Sequence, residues 1–207
     1  MGATTETIGA PAAPRAARRR IGVGVIGFGW LGQAHSRSLL RIPTLFRERD
    51  FDPELVVCGD TVPERLDDAV RSFGFGRGTA DWREVVEDPA VDVVLIAAPN
   101  MLHLELIEAA AAAGKHVFCE KPVGGTPEQT VRAEQVARAA GVITGVGYNY
   151  RGAPLVQYAR RLIADGHLGE ITNYRGRFFS MYGSDPLGVL SWRFSSTRPA
   201  TGSRPTS

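Results

Sequence analysis

Cysteine is scarce in this chain. Its 207 residues include only Cys58 and Cys119, with no Cys-x-x-Cys pair. Two isolated thiols make neither a disulfide framework nor a zinc knuckle, so they read as buried thiols in a reducing compartment. The four histidines, His35, His103, His116 and His167, stand at no ligand spacing with them. No metal site is expected. Excess charge is scarce too. The net charge is +2, and Arg15, Arg18, Arg19, Arg20, Arg198 and Arg204 all lie outside the patterned part of the chain. No basic stripe offers itself to nucleic acid. No apolar run has the length to cross a bilayer, so no membrane partner is expected. At 43% hydrophobic and 22% charged, the composition is that of an ordinary soluble globular protein.

Glycine is abundant, and its placement is informative. The apolar run Ile21-Gly22-Val23-Gly24-Val25-Ile26 leads directly into Gly27-Phe28-Gly29-Trp30-Leu31-Gly32. A strand feeding G-x-G-x-x-G at a helix start is the pattern of a dinucleotide pyrophosphate site. Gly27 permits the tight turn, Gly29 lets backbone approach the phosphates, and Gly32 allows close packing of helix on strand. The phosphates would lie on N–H groups at the helix N-terminus.

Strands and helices alternate from there. Strands are expected at Ile21–Ile26, Leu55–Cys58, Val91–Ala97, Lys115–Cys119 and Val142–Val146, with at most a very short one in Gly74–Gly78. A first helix carries Leu31, Ala34, Leu39 and Ile42, ended or bent by Pro43. A second starts at Pro63, and Asp81 caps a small one. Another covers Met101–Ala113, closed by Gly114. Thr126-Pro127-Glu128-Gln129 opens a capped helix that ends near Gly141. Repeated strand–helix units with strands buried on both faces predict an α/β fold, a parallel sheet with helices on both faces. Residues 21–146 form this Rossmann domain. Residues 1–20 read as a disordered leader. Its basic cluster is followed by the first strand and glycine turn of the fold itself, which cleavage would destroy, so the expected location is cytoplasmic.

Asp60 sits at the end of the second strand. A carboxylate there accepts hydrogen bonds from an adenosine ribose and repels a 2′-phosphate, which favours NAD over NADP. Two alternatives stay open. Asp60 caps the turn before Pro63, or Arg65 turns inward and takes a 2′-phosphate.

Three further segments are specific: Ala98-Pro99-Asn100-Met101-Leu102-His103; Ala113-Gly114-Lys115-His116-Val117-Phe118-Cys119-Glu120-Lys121-Pro122; and Tyr148-Asn149-Tyr150-Arg151 with Pro154. With the glycine turn and Trp192-Arg193-Phe194, they resemble the Gfo/Idh/MocA oxidoreductase family, which includes glucose–fructose oxidoreductase and inositol 2-dehydrogenase. The resemblance implies hydride transfer between NAD(P) and a hydroxyl carbon of a sugar, cyclitol or related polyol. It places Lys121 beside the nicotinamide and the substrate hydroxyl. Pro99, Asn100 and His103 would lie over the cofactor, with Glu120 on the cofactor side and Arg151 near the mouth of the cleft. It implies a C-terminal α/β domain whose open sheet pairs subunits into homo-oligomers. A lysine suits the chemistry as a base of lowered pKa or as a cation holding the oxygen. Readings of Lys121 as a surface lysine before a proline turn, and of His103, His35 and His116 as structural histidines, stay open.

Residues 147–194 are expected to be the incomplete start of that second domain, with a helix over Pro154–Asp165 and a strand over Ile171–Met181. Family members continue past a Trp-Arg-Phe segment into Asp-x-Gly-x-His. Here the chain reads Ser195 to Ser207, a tail without periodicity. The expectation is a truncated chain that binds nucleotide and has little or no activity; the alternative is a non-catalytic binding or interaction module.

Overall fold

The computed structural model describes residues 18–179. Trp192-Arg193-Phe194, the tail and most of the expected leader lie outside them. The described chain divides into two compact units, the first ending at Val93 and the second beginning at Val94. Its six strands form one sheet in the order β3-β2-β1-β4-β5-β6.

In the first unit, β1 (Arg19–Ile26) leads to α1 (Trp30–Leu45), β2 (Phe51–Gly59), α2 (Pro63–Phe73), β3 (Arg77–Thr79) and α3 (Arg83–Glu87). β1 runs parallel to β2, with Val23 opposite Leu55 and a register shift before Gly24. β2 runs parallel to β3. β1 begins two residues before the expected Ile21. Arg19 and Arg20 pair with Phe51 and Asp52, and the Arg20 charge finds a partner on Glu54 of the neighbouring strand. Pro43 does not end α1, which runs on to Leu45. So near the C-terminus its missing N–H costs a single helical bond, and its carbonyl accepts from Arg49 Nη1 at 2.9 Å. Asp60 follows Gly32 by 28 positions, more than the ~20 usual between the glycine turn and such a carboxylate, and the extension of α1 and the early start of β2 take up the difference. α2 has Pro63 in its first turn and closes on Gly74 at φ 78°. Asp81 caps α3, its Oδ1 accepting from Arg83 N–H at 3.0 Å. The core includes Val25, Val57, Val85, Val91 and Phe28, all fully or almost fully buried. The Phe28 ring meets Phe73 edge-on at 4.9 Å and Phe75 at 5.6 Å.

The second unit begins one residue into β4 (Val93–Ile96) and continues through a 3₁₀ turn at Asn100–Leu102, α4 (His103–Ala112), β5 (His116–Cys119), α5 (Pro127–Ala140), β6 (Thr144–Val146), a 3₁₀ turn at Asn149–Gly152 and α6 (Pro154–Ala164). β5 and β6 are parallel, with Phe118 opposite Gly145. α4 buries Leu106, Ile107, Ala110 and Ala111, and α5 buries Ala133 and Ala137. Small side chains let the two helices approach, and Arg132 Nε donates across to Glu108 Oε1 at 2.9 Å. The N-terminus of α5 is capped nearly as expected. Thr126 Oγ1 accepts from Gln129 N–H, but Gln129 Oε1 reaches past the cap residue to Gly125 N–H at 2.8 Å. α6 buries no residue. The expected strand from Ile171 is absent over the described part: residues 171–179 carry no regular structure. A strand exists through its ladder, and no described strand pairs with this segment.

Candidate functional site

The first unit supplies the glycine turn. Gly27 follows β1 at φ 91°, a region that penalises any side chain, and its N–H is held by Gly59 O at 2.8 Å. A Cβ on Gly32 would stand 2.1 Å from Gly27 O, so helix and turn touch backbone to backbone. A Cβ on Gly29 would meet nothing within 4 Å. That open space lies over the start of α1, whose first turn has neither an acidic residue nor a side-chain cap. The leading N–H groups of a helix have no acceptor within it, so this cradle fits a pyrophosphate. Within the turn, Phe28 turns its ring into the core and Trp30 is 79% exposed.

Asp60 leaves β2 just beside this turn. Its side chain is 5% exposed. Oδ2 accepts from Phe28 N–H at 2.6 Å and Oδ1 from Val62 N–H at 2.9 Å. Arg65 Nη1 stands 3.4 Å from Oδ2. One carboxylate thus fastens the glycine turn, caps the turn before Pro63 and holds the guanidinium that a 2′-phosphate would need. The bond to Phe28 has no sequence signal of its own, since it depends on how β1 and β2 end side by side.

The second unit carries the other residues. Pro99 and Asn100 lie where the chain leaves β4, and Leu102 N–H donates to Pro99 O at 2.9 Å. Lys121 follows β5, in a cis peptide with Pro122. The residue before it is anchored twice. Glu120 N–H donates to Ile96 O at 2.9 Å, and Glu120 Oε2 accepts from Lys121 N–H at 3.2 Å. Glu120 is buried, pressed so closely on Gly147 that a Cβ there would lie 2.4 Å from its Oε1. His103 is 1% exposed. Its Nδ1 lies 2.8 Å from Pro122 O and its Nε2 2.8 Å from Ala98 O. Both partners are carbonyls, which only accept; filling both bonds takes an N–H on each ring nitrogen.

Lys121, Gly147, Tyr148, Asn149, Tyr150 and Arg151 line a cleft of about 460 Å³. The sequence motifs name Lys121 and Arg151 as site residues, and both border it. Gly147 and the two tyrosines beside them were missed as lining, although Tyr148-Asn149-Tyr150 belongs to a motif. Lys121 itself is exposed. Among those residues no group of three or more His, Cys, Asp or Glu could hold a metal ion, and no helix is long and apolar enough to cross a membrane.

A parallel sheet in the order 3-2-1-4-5-6 that opens on this glycine turn is a dinucleotide-binding fold of the Rossmann class. Residues 21–148 match the family described as the oxidoreductase family with an NAD-binding Rossmann fold. The chain belongs to the Gfo/Idh/MocA oxidoreductase family. It is 38% identical to levoglucosan dehydrogenase of Pseudarthrobacter phenanthrenivorans over 184 residues, which cover 89% of this chain and 47% of that protein. It is 33% identical to the NAD⁺-dependent scyllo-inositol 2-dehydrogenase of Bacillus subtilis, over 73% of this chain and 42% of the relative. A solved levoglucosan dehydrogenase in complex with NADH and levoglucosan superposes with a TM-score of 0.83 at 38% identity, over 89% of this chain and 50% of that one. The chain spans about half the length of the curated relatives it matches.

Proposed function

We propose that this chain carries the NAD-binding half and the reacting lysine of a dehydrogenase that oxidises a hydroxyl of a sugar, cyclitol or related polyol. The observation that supports this reading most is the cleft at the end of β5, where Lys121 and Arg151 stand together. NAD, when bound, supplies the hydride acceptor. The chain's own groups do the rest. The turn from Gly27 to Gly32 holds the pyrophosphate on backbone N–H groups. Asp60 takes the ribose hydroxyls while holding the turn. Lys121 accepts the hydroxyl proton, or holds the oxygen as its charge develops. Arg151 holds substrate hydroxyls at the mouth. Pro99, Asn100 and Glu120 border the cofactor through the segments they fix. In the whole protein the partner is a polyol, the assembly a homo-oligomer and the location cytoplasmic, in keeping with two isolated buried thiols.

Calorimetric titration with NADH and NADPH tests the cofactor reading. NADH should bind, and NADPH should bind at least about tenfold more weakly, because like charges brought together cost several kcal/mol. Failure of both to bind sinks the proposal; tighter NADPH binding overturns the role of Asp60. A panel of polyols followed at the NADH absorbance band then tests the reaction.

A further inference from the structure

Lys121 is anchored on its N-terminal side by Glu120, whose N–H donates to Ile96 O. What holds its C-terminal side is the ring of His103. That ring opens α4 and is almost fully buried, at 1% exposure. Nδ1 reaches the carbonyl of Pro122, the residue next to Lys121, and Nε2 reaches the carbonyl of Ala98, where the chain leaves β4. The ring is thus a strut between the exits of two strands, and the peptide after Lys121 hangs on one end of it. Burying both nitrogens is costly unless both are hydrogen-bonded.

We propose that His103 is a positioning residue for Lys121: its Nδ1–H holds the Pro122 carbonyl, and through that bond it sets where the Lys121 amine enters the cleft. The proposal rests on the reading of Lys121 as the reacting group. The two ends of the ring can be cut separately. An Asn side chain places its amide nitrogen near the Nδ1 position, and a Gln near the Nε2 position. His103→Asn keeps the tie to Pro122 and gives up Ala98; His103→Gln does the reverse. Each leaves one buried carbonyl without a donor, so a purely structural role predicts the same outcome for both.

The readout is NMR of Lys121. The chain has only two lysines, Lys115 and Lys121, so after reductive ¹³C-methylation their signals separate readily, and the Lys121 backbone amide is read in the same samples. Without cofactor, His103→Asn should leave both Lys121 signals at the wild-type positions. His103→Gln should move them, with Lys115 unmoved in each. Equal movement in both variants, or none in either, overturns the proposal. Should a variant fail to fold, the wild type decides. Long-range ¹H–¹⁵N spectra of the histidine rings must show a proton on Nδ1 of His103, and a bare Nδ1 ends the idea. Adding NADH to the wild type separates the two readings. Lys121 signals that ignore bound NADH count against the reacting role, whereas the tie to His103 is judged from the cofactor-free spectra alone.

Discussion

Gly29 and Gly32 are both glycines of the turn, yet the structure gives them different work. Gly32→Ala drives a Cβ to 2.1 Å from a backbone oxygen, so it should lower the unfolding temperature and abolish NADH binding together. Gly29→Ala meets no atom within 4 Å. It should leave thermal unfolding within about 0.5 kcal/mol of wild type while weakening NADH about tenfold or more, because the methyl would enter the space proposed for the phosphates. Calorimetry beside thermal unfolding distinguishes the two. Lys121→Met in the whole protein should lower turnover by about 10²–10⁴-fold, leaving NADH affinity nearly unchanged; undiminished turnover removes the lysine from the mechanism. The thiols make a pH prediction. Cys58 and Cys119 are each pushed up from 9.0 to about 12, by burial first and then by Asp60 and Glu120 respectively. The folded chain keeps these protons where the unfolded chain releases them. Their stabilising contribution is therefore whole below pH 9.0 and is lost as pH climbs toward about 12. Urea unfolding should show stability falling above pH 9.0, with a shallower fall in Cys58→Ala. Iodoacetamide should leave both thiols of the folded chain unlabelled at neutral pH.

Among the elements, α5 is the one whose start was most readable, because Thr126, Pro127 and Gln129 each answer a separate demand of a helix N-terminus. Thr126→Ala removes the oxygen that accepts from Gln129 N–H and should cost about 0.5–2 kcal/mol in urea unfolding. β1 was legible at its apolar end and opaque at its charged one. Arg19 and Arg20 look like leader until β2 is seen to offer Glu54 and Asp52 beside them. The segment from Ile171 shows the reverse error. Its β-branched and aromatic residues satisfy a strand's composition, but composition cannot provide the neighbour whose N–H and C=O groups make a strand. His103 illustrates a third limit: its place at a helix start is visible in the chain, while its two carbonyl partners belong to other loops.

For the molecule as a whole, the alternation of strand and helix was legible because each unit repeats the same demands of burial and capping. The particular strand order was not, since it depends on which edges meet. Cofactor binding should be felt globally. At a hundredfold excess over its dissociation constant NADH would add about 2.7 kcal/mol, raising the unfolding temperature by about 5–10 °C at the 2–4 °C per kcal/mol usual for this chain length. A thermal scan with and without NADH checks it. Asp60 carries a consequence for descent. The carboxylate that would turn away a 2′-phosphate also fastens Phe28 N–H in the glycine turn. A lineage exchanging NAD for NADP by replacing Asp60 would unfasten the turn at the same mutational step. Exchange therefore has to travel as a paired change, one residue making room for phosphate and another inheriting the turn, and a single-residue path between the two cofactors runs through a poorer binder of both.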